Sequence, residues 1–297
     1  MHEFPPVKKP EEGEKSIRTI IKRRITGIVL AALFFVLWIL RGWPLRIGFV
    51  WVLGASIWEI YGAFKVRGAK PVRWVGMAYS AVALPLYVLF GLDATVPALA
   101  IACMLGLMCV IIQGEPDFDS AMATLLPLVY PGSMVPLFFA LMDIGPTLYA
   151  TIAVGLMFLL AMANDLFAYE IGMRFGKRPL SPALSPKKTI EGSVAGIVAA
   201  VLFSMGIPWL AQVATQTIPI LMQYQAELPP MWFFALLGFV SGVMGQVGDL
   251  AASMLKRYCG IKDFGAIFPG HGGMLDRIDC ILFTGVVVYV FFALWGG

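Results

Sequence analysis

Between Gly248 and Asp279 the chain reads GDLAASMLKRYCGIKDFGAIFPGHGGMLDRID, a run of acids and bases set between two segments apolar enough to cross a bilayer. Asp249, Lys256, Arg257, Lys262, Asp263, His271, Asp276, Arg277 and Asp279 all fall inside it. Carboxylates are ligands for hard divalent cations, lysine and arginine neutralise phosphate charge, and a Gly-Gly pair exposes backbone N–H groups. Together they suit phosphate chemistry on a charged substrate. Gly272 and Gly273 can take φ > 0, so that successive N–H groups face one anion. Asp276 and Asp279 are three residues apart and share a face as the last apolar segment begins. His271 is either a hydrogen-bonded turn residue or a contact for substrate phosphate.

A second polar stretch, Asn164 to Gly192, reads NDLFAYEIGMRFGKRPLSPALSPKKTIEG. Asp165, Tyr169, Gly172 and Gly176 recur at i, i+4, i+7 and i+11, which on a helix is one face. Gly172 to Arg178 has only three residues between its glycines and no Ser or Thr after the lysine, so it is no phosphate-binding P-loop. The proline-bearing segment from Ser181 to Thr189 is expected to be a turn-rich loop returning Lys187 and Lys188 to the membrane surface, as topology markers or as phosphate contacts. Gly238, Gly242, Gly245 and Asp249 repeat the same spacing, and Ser253 and Lys256 continue near that face. Small residues let helices pack closely in lipid. They do not explain Asp249, whose unpartnered burial would cost several kcal/mol. A bound cation is the economical explanation.

The elements that must position these residues are apolar helices. The chain is 59% hydrophobic and 13% charged, against about 25% charged for a soluble domain. Runs of about 20 apolar residues give an all-α polytopic membrane protein of about nine transmembrane helices. They fall near residues 25–40, 47–64, 74–91, 94–113, 121–142, 146–166, 191–211, 229–250 and 278–295. Pro127, Pro131 and Pro136 predict a kink or break in the fifth, which could border a cavity. Glu59 is an intramembrane acid and so a site candidate by type. Trp38, Trp43, Trp51, Trp58 and Trp74 read as interfacial anchors.

The net charge of +4 invites a nucleic-acid reading, but the distribution of charge argues for a membrane surface instead. If nine helices alternate, every Lys and Arg except Arg41 and Arg46 falls on one side. The positive-inside rule then makes the N-terminus cytoplasmic. The loop bearing Glu115, Asp117 and Asp119 adds no base to that side. Residues 1–24 form a polar, basic tail, with Lys22 to Arg24 flanking an uncleaved anchor. Residues 25–145 form an N-terminal group of about five helices, and residues 146–297 the chemistry-bearing region. Cys103, Cys109, Cys259 and Cys280 show no metal-binding spacing and read as packing residues.

Two of these stretches resemble the signature of the phosphatidate cytidylyltransferases, or CDP-diglyceride synthetases. The first is Ser253-x-Leu255-Lys256-Arg257, Lys262-Asp263-Phe264-Gly265 and Pro269-x-His271-Gly272-Gly273-Met274-x-Asp276-Arg277-Ile278-Asp279. The second is Asp165-x-x-Ala168-Tyr169-x-x-Gly172 with Ser185-Pro186-Lys187-Lys188-Thr189-x-Glu191-Gly192. One position departs: Ala252 stands where the family often has an acid. The resemblance implies that CTP and phosphatidic acid give CDP-diacylglycerol and pyrophosphate with Mg2+. It implies Asp249 and Asp276 as metal ligands, Asp165 and Asp279 near the polar site, and a homodimer in the inner membrane with its site at the cytoplasmic side. Two other readings compete. A CTP-dependent kinase of polyprenol or phytol would attack the γ-phosphorus and release CDP. A divalent-cation transporter would also line its path with acids, but not with Lys256, Arg257, Lys262 and Lys187 beside them.

Overall fold

The computed structural model describes residues 32, 35–40, 42–113, 117–145, 147–217, 228–268 and 272–296. Residues 35–40 are helical. The elements that follow are α1 (Gly42–Val66), α2 (Arg73–Phe90), α3 (Leu92–Ile112), α4 (Phe118–Val129), α5 (Val135–Met142) and α6 (Thr147–Phe175). Next come β1 (Pro179–Ser181), β2 (Ser185–Thr189), α7 (Ile190–Thr217), α8 (Met231–Tyr258) and α9 (Leu275–Gly296). Seven helices among the described residues, α1, α2, α3, α6, α7, α8 and α9, are long and apolar enough to span a membrane. In hydrocarbon every backbone N–H and C=O must be paired within the protein, which is why long apolar runs become helices. The protein is therefore a polytopic membrane protein that, among the described residues, is all-helical apart from one small hairpin.

Two polar belts mark the ends of the helices. At one end Arg67 Nε donates to Asp119 at 3.0 Å, the Tyr258 hydroxyl donates to the same carboxylate at 2.5 Å, and Arg67 reaches the Tyr258 carbonyl at 3.1 Å. The ends of α1 and α8 thus meet the start of α4. At the other end Arg46 pairs with Asp143 at 2.5 Å, and the Tyr87 hydroxyl donates to that carboxylate at 2.9 Å. The α4–α5 pair runs from one belt to the other. Its break at residues 130–134 replaces the single helix expected over 121–142, as the prolines suggested. The core lies between α1, α5, α6 and α9, where Phe49 packs on Phe138, Phe139 and Phe158.

Three local outcomes move the chemistry-bearing residues. Helix α6 continues to Phe175 and α8 to Tyr258, well past the apolar spans expected to end near 166 and 250. Nothing in either polar extension breaks a helix before Gly176 or Gly260. Asp165 and Tyr169 on α6 and Ser253 and Lys256 on α8 therefore keep the helical spacing read from the sequence, and Arg257 follows on α8. The segment from Ser181 to Thr189, expected as a loop, forms with Pro179 and Leu180 an antiparallel hairpin in which Pro179 stands opposite Thr189. The glycine stripes are packing faces. A Cβ on Gly238 would lie 2.6 Å from Val201 Cα, and one on Gly242 3.0 Å from Ile197 Cα, so α8 presses directly on α7.

Candidate functional site

The glycine face of α8 sets the position of Asp249. A Cβ on Gly248 would come within 2.5 Å of the Asp279 carbonyl oxygen, so α8 and α9 touch backbone to backbone where both carry an aspartate. Asp165 arrives on α6 from the third side. The carboxylates of Asp165, Asp249 and Asp279 lie within electrostatic reach of one another.

Two aspartates have a lysine partner. Lys188 Nζ, delivered by β2, donates to Asp249 Oδ2, and Lys256 Nζ donates to Asp276 Oδ1 at 2.6 Å. The pairs differ in access. Side chains of Lys188 and Asp249 are 30% and 24% exposed, whereas Lys256 and Asp276 are 15% and 3% exposed. A ligand can therefore reach the first pair directly, while the second lies deeper and is less accessible.

Asp276 also shapes the loop before α9. Its Oδ2 accepts from Phe264 N at 2.8 Å and from Gly273 N at 3.0 Å. The Gly273 N–H, expected to face a bound anion, is thus directed at the protein's own carboxylate. Gly272 has φ +81°, the left-handed conformation its type suggested, and a Cβ there would meet Asp276 Oδ2 at 2.9 Å. Asp279 Oδ1 accepts from Cys280 N at 2.8 Å. His271 lies outside the described residues.

The other expected residues spread around this centre. Ser253 is half-buried on α8. Arg257 is exposed, and its Nε reaches the Leu184 carbonyl at 3.4 Å, tying α8 to the hairpin. Arg277 is exposed yet within electrostatic reach of Asp165. Lys187, Lys262 and Tyr169 are exposed. Among the described residues no three His, Cys, Asp or Glu side chains gather into a metal-binding group, and all four cysteines are free thiols.

Glu59, a site candidate by type, has both carboxylate oxygens engaged by the protein itself. Only 4% exposed, it accepts from Met274 N at 2.8 Å through Oε1 and from Leu275 N at 2.9 Å through Oε2. These donors belong to the start of α9, where a carboxylate is favoured by unpaired N–H groups and by the helix dipole. Glu59 on α1 thus fixes the end of α9 that presents Asp276 and Asp279.

A buried amide lock beneath the acids escaped the sequence reading. Gln246 Nε2 donates to Asn164 Oδ1 at 3.0 Å and to the Ser193 carbonyl at 2.9 Å, while Asn164 Nδ2 donates to the Gly242 carbonyl at 3.3 Å. It joins α6, α7 and α8 one residue before Asp165 and three before Asp249. The signal was present, because uncharged polar side chains in apolar helices commonly hydrogen-bond between helices.

The chain has recognisable relatives among known proteins. A model of the cytidylyltransferase family matches residues 21–295. The phosphatidate cytidylyltransferase of Bacillus subtilis (strain 168) is 29% identical over 281 residues, covering 92% of this chain and 98% of that protein. That of Synechocystis sp. is 30% identical over 310 residues, covering 92% and 96%. Phosphatidate cytidylyltransferase 4, chloroplastic, of Arabidopsis thaliana is 28% identical over 310 residues, covering 95% and 75%.

Proposed function

The chain belongs to the cytidylyltransferase family, and from that membership and its lysine-paired aspartates we propose that it converts CTP and phosphatidic acid to CDP-diacylglycerol and pyrophosphate. The observation that carries the reading is the open Lys188–Asp249 pair beside Asp165 and Asp279. It joins a phosphate counter-charge to a set of carboxylates within the membrane-spanning helices.

In the reaction a phosphate oxygen of phosphatidic acid attacks the α-phosphorus of CTP, and the bond from that phosphorus to the pyrophosphate oxygen breaks. Both reactants are anions, so their approach has to be made favourable by fixed charge. Lys188 turns from Asp249 toward phosphate, and Lys187, Arg257, Lys262 and Arg277 lower the repulsion around it. Tyr169, Ser253 and the Gly272 turn border the substrate. A phosphate monoester with a second pKa near about 6 is largely ionised at neutral pH. No general base is required, and His271 serves as a phosphate contact.

The donor set fits magnesium. Mg2+ takes one or two carboxylates and leaves its remaining positions to water and substrate phosphates, so a closed cage of three acids is not needed. Asp249, accessible and hydrogen-bonded among the described residues through Oδ2, and Asp276, through the Oδ1 it shares with Lys256, would hold the ion. Bound there, it supplies charge neutralisation on the nucleotide oxygens and the departing pyrophosphate.

A homodimer in the inner membrane, with nine crossings, a cytoplasmic N-terminus and the site on the cytoplasmic side, completes the proposal. Its supports are the family resemblance and the basic loops, which the positive-inside rule places in the cytoplasm. The test is product identity. Purified protein given CTP, phosphatidic acid and Mg2+ should release pyrophosphate in step with CDP-diacylglycerol. Release of CDP would mark γ-phosphoryl transfer to an alcohol, and cation flux in proteoliposomes without CTP would mark a transporter.

A further inference from the structure

The α4–α5 break carries a side chain to the acids that the reading above leaves unused. Tyr130 closes α4, where its backbone N–H donates to the Leu126 carbonyl at 2.7 Å. The residue is 8% exposed, and its ring meets Phe283 edge-on at 5.8 Å. Phe283 lies on α9, one turn beyond Asp279. The Tyr130 hydroxyl is within electrostatic reach of Asp279, Asp249 and Asp276, yet it is buried with no hydrogen-bond partner among the described residues.

A buried hydroxyl left unpaired is destabilising, and tyrosine in a core normally finds a partner for its polar end. Phenylalanine would fill the same ring position without that penalty. The hydroxyl is thus a polar group that the N-terminal half of the chain brings to these carboxylates from a broken helix. Irregular backbone at membrane depth is tolerated where it is covered by protein or lines a cavity. A hydroxyl at such a place, facing acids that attract a cation and its phosphates, has a ligand oxygen as its natural acceptor.

We propose that the Tyr130 hydroxyl is a substrate-binding donor, giving a hydrogen bond to a phosphoryl oxygen of the reactants held among Asp249, Asp276 and Asp279. This rests on the cytidylyltransferase reading and adds a residue from the N-terminal helices to its site. The ring packing on Phe283 holds the donor in place before substrate arrives, so no reorganisation is needed when it does.

The test is Tyr130→Phe in the full-length protein, measured by turnover and by thermal unfolding in detergent without substrates. Because only an unpartnered hydroxyl is removed, the unfolding temperature should stay at or above that of the wild type. Turnover should fall by about 10²-fold, the scale for one preorganised donor lost at a phosphoryl or acyl centre. A rise in KM confined to CTP assigns the acceptor to the nucleotide, and a rise confined to phosphatidic acid assigns it to the lipid phosphate. Wild-type kinetics for the variant would overturn the proposal. So would a fall in unfolding temperature that matches the loss of activity, since the hydroxyl would then be structural. Absence of pyrophosphate release by the wild type would instead sink the cytidylyltransferase reading itself.

Discussion

Replacing Glu59 separates the structural role assigned to it from a role in chemistry. Both of its carboxylate oxygens accept buried backbone N–H groups of Met274 and Leu275. In Glu59→Ala both donors lose their acceptor, at about 1–3 kcal/mol each, so a destabilisation of about 2–6 kcal/mol is expected. In Glu59→Gln one acceptor oxygen remains, and the new amide NH2 opposes a donor. One lost bond then predicts about 1–3 kcal/mol. Thermal unfolding in detergent should therefore rank wild type above Glu59→Gln above Glu59→Ala. Turnover should drop with the folded fraction and with misplacement of Asp276 and Asp279, while the KM values of the surviving Gln variant stay near wild type. The reasoning is refuted if Glu59→Gln unfolds with the wild type yet has lost all turnover. In that case the carboxylate acts on substrate and its cap is incidental.

Three further outcomes follow from the geometry. Gly238→Ala should destabilise the α7–α8 seam by about 1–3 kcal/mol, because its Cβ would lie 2.6 Å from Val201 Cα; unfolding temperature checks it, and an unchanged value would show that the seam gives way. Gln246→Leu removes the donors to Asn164 and Ser193 and should lower both stability and turnover, read as unfolding temperature and kcat. The Asp117 carboxyl, at the start of α4, is held below the usual carboxylate range by hydrogen bonds from the Ser120 side chain and backbone. Its folded-state value lies below its unfolded one, so its contribution is present above about pH 4 and is lost as acidification passes the folded value. Asp117→Asn should therefore flatten the decline in unfolding temperature between pH 5 and pH 3, and an identical decline would contradict the assignment.

The parts of the site carried by short-range periodicity were legible in the sequence. Glycines at helical spacing marked the face that brings α8 onto α7 and α9, and the same count placed Asp249 at the end of that face. Three prolines marked the break between α4 and α5. Pairings across long separations were not legible. Lys188 and Asp249 are 61 residues apart, and Glu59 meets Leu275 across 216, distances at which no local pattern specifies a partner. For the same reason Glu59 read as a site acid, since burial of a carboxylate looks alike whether its acceptors face substrate or a distant helix end. Hydropathy ended α6 and α8 too early because it reports where lipid ends, whereas the side-chain spacing ran on past Asp165 and Asp249, since a helix continues until something breaks it. Tyr130 was hidden by its type, being one aromatic among many in apolar segments.

The central claim is that Asp249 is the carboxylate facing the reactants while Asp276 also holds the loop that α9 needs. Asp249→Asn and Asp276→Asn, compared side by side for turnover of CTP and phosphatidic acid with Mg2+ and for thermal unfolding, test it most directly. Both variants should lose turnover by orders of magnitude. Asp249→Asn should unfold near the wild-type temperature, whereas Asp276→Asn, which weakens the acceptor of Lys256, Phe264 and Gly273, should unfold distinctly lower. Near-normal turnover by Asp249→Asn would contradict the account.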